Sequence, residues 1–81
     1  MSQEEITAEI VRLIRQEMPD VEGEITPDSQ FEELGMDSLT RVDLLAAVER
    51  TFGLEVPDDA VATLLRVSDL TEFLATSKAS V

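Results

Sequence analysis

The sequence predicts a small all-α fold: a four-helix bundle of three main helices and a short third one, with a long loop between helices one and two. Three observations predict it. Apolar residues recur at helical spacing in three stretches, near residues 6–14, 39–52 and 67–74. Helix-start and helix-stop residues bracket those stretches, including Ser2, Pro19, Asp37 and Gly53. The only strand-like piece, Leu54-Glu55-Val56, is too short to found a sheet.

Helix one opens on Ser2-Gln3-Glu4-Glu5, a capping box with Ser2 as N-cap and Glu5 three residues on. Ile6, Ile10, Leu13 and Ile14 then line one face, and Pro19 stops the helix near Met18. The connection from Pro19 to Gly35 is rich in turn residues, yet Ile25, Phe31 and Leu34 are apolar and should plug into the core. Ser29-Gln30-Phe31-Glu32 reads as a second capping box for a single turn. Helix two starts at Asp37, an N-cap. Leu44, Val48 and Phe52 form its core line. Leu39, Val42 and Ala46 form a second line, mixed with Asp43 and Glu49, part of which is free to serve a partner. Gly53 ends it.

Beyond an extended piece, Pro57-Asp58-Asp59 opens a short helix through about Leu64, with Val61 and Leu64 inward. The last helix begins at Val67-Ser68-Asp69-Leu70, with Ser68 the cap candidate, and buries Leu70, Phe73 and Leu74. The expected core is Phe31, Leu44, Val48, Phe52, Val61, Leu64 and Phe73. Residues 1–77 make one domain and 78–81 a flexible tail. A chain of 81 residues buries only ~60–65% of its unfolded surface.

Composition narrows the function. The net charge of −12, from 18 acids and 6 bases, excludes nucleic acid as a partner and disfavours anionic membranes. It suits basic protein partners and salt-sensitive docking. There is no cysteine and no histidine, which excludes Ser-His and Cys-His nucleophile pairs and thiolate or imidazole metal sites. No enzyme activity and no metal are expected. Glu32-Glu33 is no acid–base pair, since nothing predicts a buried environment around it. No apolar run approaches ~20 residues and no basic segment precedes an apolar one, so neither a membrane span nor a signal peptide is read. A cytoplasmic monomer is the expectation.

The residues most able to carry chemistry are Gly35-Met36-Asp37-Ser38-Leu39. A turn glycine and an acidic cap place Ser38 on the first turn of helix two, where backbone N–H groups are unpaired. An anion esterified to Ser38 would gain roughly 0.3–1 kcal/mol from the helix dipole. From these residues alone an acidic helical interaction domain with nothing attached remains an open alternative.

The string Phe31-Glu32-Glu33-Leu34-Gly35-Met36-Asp37-Ser38-Leu39, followed by Val42-Asp43-Leu44, by Phe52-Gly53-Leu54-Glu55-Val56-Pro57-Asp58 and by Val67-Ser68-Asp69-Leu70, resembles the acyl carrier protein family, with its peptidyl and aminoacyl relatives. The resemblance runs from Ile6 to Leu74. It implies covalent 4′-phosphopantetheine on Ser38, attached by a phosphopantetheinyl transferase from coenzyme A, with the thiol then carrying acyl or aminoacyl groups as thioesters. It implies as further partners a loading ligase or acyltransferase and synthase enzymes. It implies a docking surface at Asp37, Leu39, Val42, Asp43, Ala46 and Glu49, and Val61 and Leu64 as candidates for an acyl pocket between helices two and three. Thr40, Arg41 and Arg50 stand where fatty-acid-synthesis members often carry acids, which points to polyketide, nonribosomal peptide or other specialised biosynthesis over fatty acid synthesis.

Overall fold

The structure, a computed structural model, describes residues 2–79, with side chains through Ser77. Four helices follow in order: α1 (Gln3–Glu17), α2 (Ser38–Phe52), α3 (Asp58–Val61) and α4 (Val67–Ala79). Each main helix starts where a side chain supplies the acceptor that its first turn lacks. In α1 the Ser2 hydroxyl accepts from the Glu5 N–H at 3.2 Å, and the Glu5 carboxylate accepts from the Ser2 N–H at 3.3 Å. In α2 the Asp37 carboxylate accepts from the Thr40 N–H at 2.8 Å. The α2 end uses Gly53 at φ 67°, a left-handed conformation that costs glycine nothing, and its N–H closes on the Glu49 carbonyl at 2.9 Å.

Ile6, Ile10 and Ile14 of α1 share one fully buried core with Leu44 and Val48 of α2 and with Val67, Leu70 and Leu74 of α4. Burial of each such side chain stabilises the fold by about 1.5–3 kcal/mol relative to exposure. α1 is the central element, packed on both α4 and α2. One buried polar side chain crosses this core without cost: the Thr71 hydroxyl bonds the Val67 carbonyl at 3.2 Å and the Thr7 hydroxyl at 2.9 Å.

The long loop is anchored as its apolar residues require. Ile25, Phe31 and Met36 are buried, and Leu34 packs against the core half-exposed. Its far end is stitched to the approach to α4 by three backbone bonds: Phe31 N–H to the Leu65 carbonyl, Val67 N–H to Ser29 and Ser68 N–H to Pro27, at 2.9–3.1 Å. Arg15 also reaches the Gly23 carbonyl at 3.1 Å.

Three local expectations are corrected. The Ser29 hydroxyl does not cap a turn at Glu32; it accepts from the Thr26 N–H at 3.0 Å, a local bond that competes with capping. The 31–35 turn forms from backbone bonds instead. α3 stops at Val61, because Thr63 turns its N–H and hydroxyl onto the Ala60 carbonyl at 3.0 and 2.9 Å. Ser68 does not cap α4. Arg66 offers no acceptor at the cap position, and Asp69 reaches back to the N–H groups of Leu65 and Arg66 at 3.2 and 3.0 Å. α4 runs through Ala79, and 80–81, within the expected tail of 78–81, lie outside the described residues. Val61 and Phe73, expected in the core, are only half-buried, whereas Met36, Leu45, Ala47 and Val56 are buried.

Candidate functional site

Ser38 is held in place by the chain on both sides of it. Upstream, Gly35 takes φ 87°, and the Met36 N–H closes on the Phe31 carbonyl at 3.2 Å, which buries Met36 and turns the backbone outward. Asp37 then adopts extended φ and ψ of −87° and 177°, as an N-cap does, and Ser38 becomes the first helical residue. Its side chain is exposed, and its hydroxyl has no hydrogen-bond partner among the described residues. The first turn of α2 carries no acidic side chain, so the positive end of its dipole is not neutralised within the helix. The Thr40 N–H holds the Asp37 carboxyl below the usual carboxylate range, which keeps the cap ionised at neutral pH.

Phe31, Glu32, Met36, Asp37, Ser38 and Arg41 line one open hollow of about 340 Å³. Arg41 is the member that sequence reasoning misplaced. Its Nη2 donates to the Val61 carbonyl at 2.6 Å and also to the Leu64 carbonyl, and its guanidinium lies 5.9 Å from the Phe31 ring centroid. It is thus turned towards the end of α3 and half-buried there. Only the pairing of residues 20 and 23 positions apart reveals this, and no local pattern signals it.

The other predicted positions divide. Leu39 is 73% and Val42 61% exposed, an unusual degree for large apolar side chains. Asp37 and Asp43 are exposed beside them. Ala46 is half-buried and lines a groove of about 380 Å³ with Val42, Leu45, Glu49, Val56, Asp58 and Val61. Glu49 has an internal task that its sequence reading did not include: its carboxylate accepts from the Val56 N–H at 2.9 Å. The Val61 and Leu64 side chains do not line one pocket. Val61 faces the α2–α3 groove, while Leu64 is buried at 4% exposure and lines a different hollow with Phe73.

Ser38 presents an exposed, unpartnered hydroxyl at a helix start capped by the ionised Asp37 carboxylate, and no internal base bonds it among the described residues. It can hold a group and cannot activate one. The family model described as the phosphopantetheine attachment site matches residues 8–74. An acyl carrier protein of Prochlorococcus marinus (strain MIT 9515) is 37% identical over 79 residues, covering 96% of this chain and 99% of the relative. The crystal structure of the acyl carrier protein of Thermotoga maritima superposes with a TM-score of 0.83 at 26% identity, over 99% of this chain and 94% of that one. The chain belongs to the acyl carrier protein family. Its prosthetic group is covalent 4′-phosphopantetheine, and the alternative of an acidic domain that carries nothing is set aside. Members of the family are carriers and not catalysts. No helix among the described residues is long and apolar enough to cross a membrane.

Proposed function

We propose that the chain carries acyl or aminoacyl groups on phosphopantetheine attached to Ser38 and delivers them to partner enzymes of polyketide, nonribosomal peptide or other specialised biosynthesis. The observation that supports Ser38 most directly is its exposed, unpartnered hydroxyl at the start of α2. Ser38 Oγ forms the bond to phosphorus, 3′,5′-ADP of coenzyme A departs, and the proton goes to a base of the transferase. The terminal thiol of the attached group supplies the thioester chemistry that a chain without cysteine lacks. Asp37 fixes the direction of the first turn, and the α2 dipole favours the added anion. The partners are a phosphopantetheinyl transferase, a loading ligase or acyltransferase, and synthases, all cytoplasmic, acting on a monomer. They dock on Asp37, Leu39, Val42 and Asp43, with Ala46 and Glu49 at the edge of that surface. Val61, on the groove side of α3, is the better of the two acyl-pocket candidates.

One observation favours a second reading within the family. Arg41, taken from sequence as a basic interruption of the acidic docking face, is turned to the α3 carbonyls. The face is therefore less diluted than it reads in sequence, and a carrier of fatty acid synthesis fits it as well. The thioester recovered from the native host separates the two. Attachment itself is tested by intact mass after incubation with coenzyme A and a broad-specificity transferase. A gain of one phosphopantetheine is expected, lost in Ser38→Ala; a gain that persists in Ser38→Ala overturns the assignment.

A further inference from the structure

Among the described residues, Arg41 is the one basic side chain lining the hollow beside Ser38, where the acids are Glu32 and Asp37. It sits at i+3 from Ser38, hence on the same strip of helix surface. Both of its hydrogen bonds use Nη2, so Nε–H and Nη1 have no acceptor among the described residues. A guanidinium is a rigid fork of five donors suited to two oxygens of a phosphodiester. Neither carboxylate of the hollow bonds Arg41: Asp37 Oδ1 accepts from the Thr40 N–H, and no bond joins Glu32 to the guanidinium. A phosphodiester on Ser38 Oγ would bring a third negative charge into a hollow with two carboxylates and one cation.

We propose that Arg41 is the positioning residue of that phosphodiester: Nε–H and Nη1 pair with its oxygens while Nη2 keeps the Val61 and Leu64 carbonyls. This rests on the Ser38 reading above and goes beyond it, because it joins two events. α3 has no buried residue of its own, and Arg41 grips the carbonyls at its trailing end. A guanidinium fixed by the phosphodiester moves less, so attachment at Ser38 steadies α3, and by reciprocity a steady α3 holds the start of the arm along α2. Phosphodiester and guanidinium both keep their charges across the neutral range, so the pairing responds to salt and not to pH.

The test compares ¹⁵N-labelled protein before and after loading, with loading verified by mass. The Arg41 Nε–H resonance is expected to move further than those of Arg12, Arg15, Arg50 and Arg66. Amide exchange at Leu64 and Leu65 is expected to slow by about two- to fivefold, the range of an exposed to half-buried ion pair. In Arg41→Gln loaded to the same mass, that slowing is expected to vanish. A mass gain with an unmoved Arg41 resonance and unchanged exchange overturns the inference alone, and this needs only the wild-type chain. No mass gain overturns the Ser38 reading and the inference with it.

Discussion

The contact of α1 with α4 and the contact of α2 with α3 are held together by different physics. Towards α4 the contact is hydrocarbon: Ile6, Ile10 and Ile14 meet a core with Val67, Leu70 and Leu74, each at 0–1% exposure. On the far side of α2, α3 has no buried residue and is fastened by polar bonds from α2 side chains. Glu49 holds the Val56 N–H at its leading end, and Arg41 holds the Val61 and Leu64 carbonyls at its trailing end. Apolar packing excludes water and gives way only with the whole fold. Side-chain bonds at a partly wet edge exchange with water at little net cost. The molecule therefore has a fixed scaffold and a detachable edge, and Ser38 stands where the two meet.

The largest expected effect that separates them is on stability. Ile10→Ala should lower unfolding free energy by about 2–5 kcal/mol, as a cavity in a close-packed core does. Val61→Ala, at a half-buried groove position, should cost about 1 kcal/mol or less. Urea denaturation of both variants checks this, and equal losses would erase the distinction between scaffold and edge. Next in size is Glu49→Ala, expected to cost about 1 kcal/mol and to speed amide exchange at Val56 while leaving Ile10 and Leu70 protected. Smallest is a pH effect at the α2 start. The Asp37 carboxyl lies below its ordinary value in the folded chain, so its contribution is fully present above the ordinary carboxylate pKa of about 4 and is lost as pH falls through the lowered one. Thermal melts of Asp37→Ala should thus fall below wild type by a few degrees at neutral pH and converge with it in acid.

Much of the scaffold was legible in sequence, because its signals are local. Ser2 and Glu5, Asp37, and Gly53 each act within four residues, and the isoleucine spacing of α1 needs no partner to be read. The edge was not legible. Arg41 and Glu49 look like surface charges, and their acceptor and donor are backbone groups brought near only by the fold. The length of α3 turned on whether Thr63 would spend its hydroxyl on the Ala60 carbonyl, and the α4 start turned on Asp69 replacing an acceptor that Arg66 does not offer. Ser38 itself was legible because its needs are met within its own turn. Leu39 and Leu44 are equally apolar, and the spacing along α2 alone set the Leu44 line inward and left part of the Leu39 line free; the fold buries Leu44 and exposes Leu39.

The central claim is that the prosthetic group sits on Ser38, at the junction of scaffold and edge. Tandem mass spectrometry of the loaded chain, with the modified peptide fragmented to single-residue resolution, tests it most directly. The whole of the phosphopantetheine is expected on Ser38. Its appearance on Ser2, Ser29, Ser68 or any other serine would contradict the account.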